Sequence, residues 1–245
     1  MAPRAGAERF FVDLHCHTSA SFDSLAAPGA VLRAAAARGL THLAITDHDR
    51  IDGALEALEG AATEAPDLTV IVGQEIRTTA GDLIGVFLRE VVEVGLSPAE
   101  AISAVHEQGG LVGIAHPFDR FRGSVGRGDT SALESVAAQV DWIEVWNARL
   151  LVGDGNERAA ELARRIGRPG VAVSDAHTTI EVGIAATVVT AADPSTAAGF
   201  RTALAGPLEL VPGRASRYVR LIGPAAKLVQ RARGRGRVRA AVPAR

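Results

Sequence analysis

At 245 residues, 47% hydrophobic and 22% charged, the chain has apolar material for a sizeable core, which excludes a disordered or fibrous protein. The single cysteine, Cys16, excludes an intramolecular disulfide, and no apolar run approaches the length of a membrane-spanning helix. The net charge of −2 hides an asymmetry: from Arg214 onward there are ten Lys or Arg and no acid, which leaves 16 basic against 28 acidic residues before it.

An acidic body of this kind can hold cations, whereas the basic end reads either as a solvated extension or as a surface for nucleic acid, anionic lipid or the body itself. Arginine outnumbers lysine 25 to 1, a compositional bias that lowers the weight of any single Arg. The segment before Phe10 lacks the apolar stretch of a secretory leader, so the expected location is cytoplasmic. The expected division is a flexible stretch over 1–9, a globular unit over 10–213 and a basic C-terminal extension over 214–245.

In chain order, short apolar runs rich in β-branched residues predict strands at Phe10–Leu14, Leu43–Thr46, Thr69–Val72, Leu111–Ala115, Trp142–Trp146, Val171–Val173 and Ala185–Thr190. Helical spacing and good helix formers fall at Pro28–Arg38, Ile51–Glu64, Pro98–Gln108, Thr130–Gln139, Asn156–Ile166 and Pro194–Leu204. Alternation of this kind predicts an α/β protein with a largely parallel sheet of about seven βα units. Thr79–Asp82 reads as a turn and Leu83–Leu88 as a further strand, giving a hairpin excursion. Phe118–Asp129, rich in Gly, Ser, Arg and Asp, reads as a mobile flap. Beyond Pro207 come Leu208–Val211, an amphipathic stretch at Tyr218–Val229 and an Arg-rich end at Arg231–Arg239.

Periodicity alone leaves a closed barrel and an open doubly wound sheet as alternatives. The polar residues favour the barrel: His15 and His17, Asp47 and His48, Glu75, His116, Asn147, and Asp175 with His177 all follow directly on predicted strands. A barrel gathers strand ends on one face, whereas an open sheet spreads them along an edge. His15 and His17, two apart on an extended chain, project to one side, and neutral imidazole is a common ligand for Zn, Mn and Fe. Alone the pair is weak, since two polar residues at a strand end explain it equally well. Thr46 or Asp49 would cap the following helix, but capping gives no reason for His48. Of seven histidines, five sit just past strand C-termini, while His42 and His106 lack that context and read as structural. Mixed His and carboxylate ligands with one Glu able to bridge point to more than one divalent ion and to hydrolytic chemistry.

These motifs, Asp13-Leu14-His15-Cys16-His17-Thr18, Thr46-Asp47-His48-Asp49, Gly73-Gln74-Glu75 with Ala115-His116-Pro117, and Ser174-Asp175-Ala176-His177, resemble those of the polymerase and histidinol phosphatase (PHP) family over roughly residues 10 to 190. The resemblance implies a distorted (β/α)7 TIM-like barrel with a cluster of two or three divalent ions (Mn, Zn or Fe) at the C-terminal ends of its strands. It implies hydrolysis of a phosphomonoester or nucleotide by a metal-activated hydroxide. His15, His17, Glu75 and Asp175 then resemble the ligands of a first ion, Glu75 bridges to a second held by His116, and Asp23, His48 and His177 resemble a third site. Asn147 stands where the family often has another histidine for the second ion. His48 or His177 is a candidate proton donor, with Glu75 the third catalytic residue. Arg149 and Arg120 are the candidates for binding phosphate through the guanidinium fork. The expected partner is a small phosphorylated substrate such as a nucleotide. The alternatives are a nuclease that meets nucleic acid through its basic end, or a barrel kept as a non-catalytic metal-binding interaction module.

Overall fold

In the computed structural model, which describes residues 8–125 and 130–238, one nine-stranded sheet curls into a nearly closed barrel. The elements are β1 (Glu8–Asp13), α1 (Pro28–Ala37), β2 (His42–Ile45), α2 (Asp52–Glu64), β3 (Thr69–Arg77), β4 (Asp82–Val86), α3 (Pro98–Glu107), β5 (Leu111–Ile114), α4 (Thr130–Ala137), β6 (Trp142–Asn147), α5 (Gly155–Ile166), β7 (Gly170–Val173), β8 (Ala186–Ala191), α6 (Ala197–Leu204), β9 (Leu208–Val211) and α7 (Val219–Ala232). Each helix from α1 to α6 falls within three residues of the sequence expectation. Ser97 and Glu100 form a reciprocal capping box at the start of α3. Thr46 and Asp49, by contrast, do not cap α2, whose N-cap residue Ile51 makes no side-chain cap bond. Asp49 instead accepts from the Arg77 N–H at 3.0 Å, tying the loop after β2 to β3.

The sheet order is β7-β6-β5-β4-β3-β2-β1-β8-β9. Two sequence expectations are corrected by it. The hairpin strand is no excursion, because β4 lies inside the sheet, antiparallel to both β3 and β5. Nor does the run near residue 185 add a parallel strand: β8 pairs antiparallel with β1, Phe10 opposite Val189. The reason is the short connection from β7, which contains no helix, whereas a parallel crossover is usually made by one. Closure between β7 and β1 comes just past the strand ends. Cys16 bridges Ala176, the His17 N–H donates to Ala176 O at 2.8 Å, and Asp13 accepts from the Ser174 and Gly183 N–H groups.

Strand alternation sorts the apolar side chains into two layers. Leu43, Ile45, Val70, Val72, Ile114 and Ile143 pack with residues of α1, α2, α3 and α5, such as Leu32, Ala54, Ile102 and Leu162. The opposite strand face, with Ala44, Ile71, Ile84, Leu111, Trp142 and Val171, fills the interior, and α6 adds Phe200 and Leu204 to this layer. Trp142 is fully buried, and its partner in register on β5 is Gly113. A Cβ on Gly113 would lie 2.2 Å from the indole. The absence of a side chain there is what admits the largest side chain of the interior.

The ends of the chain differ from expectation. Glu8 and Arg9, read as part of a flexible terminus, open β1, while residues 1–7 lie outside the described residues. In the anticipated flap, residues 118–125 are tied down: Asp82 N–H donates to Gly123 O at 2.6 Å, Ser124 Oγ to His116 O at 2.8 Å, and Val125 is buried. Residues 126–129 lie outside the described residues. No helix among the described residues is long and apolar enough to cross a membrane.

Gly113→Ala is expected to destabilise the barrel by about 1–3 kcal/mol, the usual cost of overpacking a filled core. Denaturant unfolding of the variant and its parent measures this, and an unchanged midpoint would contradict the close approach to Trp142.

Candidate metal centre

The polar residues that follow the parallel strands converge at one rim. His15 and His17 leave the end of β1 on one side, and Cys16 between them turns into the core. Asp13 of the same motif is occupied with closing the barrel, and Asp47 accepts from both the N–H and the hydroxyl of Thr18 at 2.6 Å, fixing the loop after β1. A Cβ on Gly53 would lie 2.2 Å from Asp47 Oδ2, so glycine is needed where α2 begins.

Glu75 stands at the centre, 1% exposed. Its Oε2 lies 3.3 Å from His15 Nε2, 3.4 Å from His17 Nε2 and 2.9 Å from His48 Nδ1, and its Oε1 lies 3.1 Å from His116 Nε2. Asp175 Oδ1 completes a first set, 3.7 Å from His15 Nε2 and 3.5 Å from His17 Nε2, and these two nitrogens are 3.0 Å apart. A tetrahedral ion with ligands at about 2.0–2.1 Å spaces them about 3.3 Å apart, a spacing close to that among His15, His17 and Asp175 and to that of Glu75 from the two imidazoles. Asp175 Oδ1 and Asp23 Oδ1 are buried without a hydrogen-bond partner, as acceptors awaiting a cation would be.

A second set joins Glu75 and His116 to Asp82, and a third brings His17 near His48 and His177, each set with ligand atoms within 4.8 Å of one another. Asp23 faces the third, 3.4 Å from His48 Nε2 and 3.5 Å from His177 Nε2. His116 (φ 27°) and Asp175 (φ 53°) both have positive φ, as does Asp49 (φ 59°) beside His48. Such backbone costs about 1–3 kcal/mol per residue and persists where the surroundings enforce it, characteristically at functional sites.

Asn147 is brought to the rim but its amide is otherwise engaged. Its Nδ2 donates to Glu144 Oε2 at 3.0 Å and Asp175 Oδ2 at 2.9 Å, while its Oδ1 accepts from the Arg149 N–H at 3.0 Å. Arg149 lines the cleft and sits 3.3 Å from Glu181, whereas Arg120 stands exposed on the rim. Arg122 reaches further in, pairing with Asp119 and with Asp175 Oδ2. The cleft above the cluster measures about 540 Å³. His42 and His106 are elsewhere, beside Ser195 and Asp141.

Two residues escaped sequence reasoning. Asp82 reads in the sequence as part of a turn. It opens an antiparallel strand, and the start of such a strand meets the rim where its parallel neighbours end. Glu144 lies inside a predicted strand, where an acid in the run Trp-Ile-Glu-Val-Trp is the available signal. Its Oε1 lies 2.6 Å from His15 Nδ1 and its Oε2 accepts from the His116 N–H at 2.8 Å, the kind of contact that fixes the orientation of a ligating imidazole.

The electrostatics follow from burying acids among imidazoles. Burial opposes protonation of His15 and His48, but Glu144 and Glu75 beside the first, and Glu75 and Asp23 beside the second, overcome it and raise both to about 10. Burial and the neighbouring Arg149 hold His177 neutral, at about 3. Glu75 resists its own burial because His48 and His15 hold it well below the usual carboxylate range. Asp82 lacks that support: burial and the charge of Glu75 push it up to about 7.

Known proteins bear on this rim. A PHP domain model matches residues 13–182. An uncharacterised protein of Methanocaldococcus jannaschii is 35% identical over 146 residues, 56% of this chain and 81% of that one. Among solved structures, a two-domain protein of Bacteroides vulgatus containing a predicted PHP-like metal-dependent phosphoesterase superposes with a TM-score of 0.68 at 20% identity, over 87% of this chain and 67% of the other. The lesion-specific endonuclease Q of Pyrococcus furiosus superposes with a TM-score of 0.64 at 18% identity, over 83% of this chain and 58% of the other. At such identities these two structures speak for the fold. The family match begins at the end of β1 and runs past the loop that carries Asp175 and His177, and the chain belongs to the PHP domain family.

Proposed function

We propose that the chain hydrolyses a phosphomonoester or nucleotide at this rim. The observation that carries the reading is Glu75, one buried carboxylate within 3.4 Å of four imidazole nitrogens. His15, His17, Glu75 and Asp175 would hold a first divalent ion, Glu75, His116 and Asp82 a second, and Asp23, His48 and His177 a third. The mixed nitrogen and carboxylate donors suit Mn, Zn or Fe. Bound ions of this kind supply an activated water at neutral pH and positive charge for phosphoryl oxygens.

The remaining work falls to side chains. Asn147, assigned from the sequence to the second ion, orients Asp175 in this reading, because both its amide hydrogens are already donated to carboxylates. Glu144 holds His15 with its Nε2 toward the cluster. Arg122 holds Asp175, Arg149 orients the phosphate, and Arg120 meets the substrate at the rim. His48 and His177, which both face Asp23, are the imidazoles placed to give a proton to the leaving oxygen.

A nuclease reading has support of its own, since endonuclease Q shares the fold over 83% of this chain. Salt separates the two, because binding through many phosphates weakens steeply as salt rises. Affinity for single-stranded RNA that is unchanged on removing residues 231–245 would retire the tail as a nucleic-acid arm.

Reloaded with Mn or Zn, the protein is expected to hydrolyse members of a phosphomonoester and nucleotide panel, and Glu75→Gln to remove both the activity and part of the bound metal. No turnover across the panel would sink the proposal. Glu144→Gln should weaken metal binding by about 10–100-fold without unfolding the barrel, as read by competition with a chelator.

Metal binding near pH 7 should also release protons, since His15 and His48 are protonated in the metal-free protein and ligate only when neutral. Affinity therefore rises with pH and falls as acid competes for the imidazoles. Calorimetry in buffers of different ionisation enthalpy counts the protons, and a buffer-independent heat would contradict the charge state.

A further inference from the structure

The ten cations from Arg214 onward read in the sequence as a tail. In the fold, α7 and the residues after it lie against the loop between β1 and α1. The anchor is Gln230, fully buried, whose Nε2 faces the carbonyls of Ser19, Ser21 and Ser24 at 2.7, 3.0 and 2.7 Å. Arg235 adds a bond to Ser19 O at 3.1 Å, and Arg77 donates to Val238 O at 2.5 Å. The loop gripped in this way carries Phe22 and Asp23.

Docking brings two cations to the cleft. Lys227 Nζ lies 3.9 Å from Asp23 Oδ2 and 5.2 Å from the centre of the Phe22 ring. Arg237 lies 5.3 Å from that same ring, 3.7 Å from Asp49 and 3.8 Å from Asp82. Both line the cleft on the side of β1 to β4, whereas Arg122 and Arg149 approach Asp175 and Glu181 from the side of β6 and β7. The two sides differ in how their charge is spent. Arg122 pairs with Asp119 and Arg149 with Glu181. Lys227 and Arg237 make looser pairs, 3.7 to 3.9 Å from their nearest carboxylates, with side chains 55% and 37% exposed. Divalent ions in the three sets would offset Asp23, Glu75, Asp82 and Asp175, and Arg77 already faces Asp49 at 3.6 Å. Lys227 and Arg237 are then surplus positive charge beside the reacting position, enough for one further phosphate group.

We propose that Lys227 and Arg237 bind a second, non-reacting phosphate of the substrate, so that the C-terminal segment forms a wall of the site and selects molecules with two phosphate groups over simple monoesters. The inference rests on the phosphoesterase reading above. Hydrolysis stays as it was: water adds to one phosphorus, its ester bond breaks, and the leaving oxygen takes a proton. The second phosphate is bound and unchanged. A nucleotide with two phosphates and the end of a nucleic-acid strand both present this chemistry.

The direct test is calorimetric binding of inorganic pyrophosphate and inorganic phosphate to the metal-loaded full chain, with bound metal quantified before and after. Pyrophosphate is expected to bind at least about tenfold more tightly, and Lys227→Ala and Arg237→Ala each to weaken it about fivefold to tenfold while changing phosphate by less than about twofold. Lys227→Arg and Arg237→Lys should retain most of the affinity. Arg235→Ala, which loosens the segment without removing charge from the cleft, separates docking from binding. Pyrophosphate affinity within about twofold of the parent in the Lys227→Ala, Arg237→Ala double variant would overturn the proposal. KM for a nucleoside diphosphate and for a 5′-phosphorylated trinucleotide on the same variants identifies the source, since the substrate that uses the wall loses affinity. A protein that prefers pyrophosphate but hydrolyses nothing contradicts the phosphoesterase reading alone, and hydrolysis indifferent to both cations contradicts this one alone.

Discussion

A carboxylate taken out of water must be paired or it takes up a proton, and Glu75, 1% exposed, is paired four times over by imidazoles from β1, from the loop after β2 and from the end of β5. Much of the rest of the rim follows from that. His15 keeps its proton beside charged Glu144 and Glu75, and His48 beside Glu75 and Asp23, while Asp82, the next acid along, is raised by burial and by the charge of Glu75. A metal-free cluster is a set of mutually compensating charges. Divalent ions would replace the protons with a more compact positive charge, and the buried Asp23 and Asp175 oxygens without hydrogen bonds are where that replacement has most to gain.

Barrel closure makes the pairing geometric. No two neighbouring strands supply the first set of donors: His15 and His17 come from β1, Glu75 from β3 and Asp175 from beyond β7. They meet because β1 and β7 are stitched together by Asp13 and by the Cys16–Ala176 bridge. The positive φ at His116 and Asp175 is the local cost of turning side chains inward at the point where the chain leaves its strand. Glu144, Asn147 and Arg122 then hold those side chains from behind, so the donors are arranged before any ion arrives.

The asymmetric charge of the chain acquires a structural sense in this arrangement. The acidic body concentrates carboxylates at one rim, and the basic C-terminal segment is held against the same rim by a buried amide, that of Gln230. Of its ten Lys and Arg, Lys227 and Arg237 are the ones that line the cleft among the described residues. The nucleic-acid arm and the cleft wall are different uses of one composition. Contacts to three backbone carbonyls of the loop bearing Phe22 and Asp23 favour the second.

The sequence by itself determined the barrel and most of the candidate donors at its rim, because both depend on local order: apolar strand cores of β-branched residues alternating with helices, each strand followed by His, Asp or Glu. His15, His17, His48, Glu75, His116, Asp175 and His177 were legible for that reason. Tertiary structure alone decided what non-local pairing controls. Asp82 faces the cluster because β4 runs against its neighbours, and Asn147 turns its amide to Glu144 and Asp175 because those acids arrive from other parts of the barrel. Lys227 and Arg237 reach the site through the docking of α7, some 200 residues from the loop it covers, a contact whose partners are backbone carbonyls and leave no mark in a sequence.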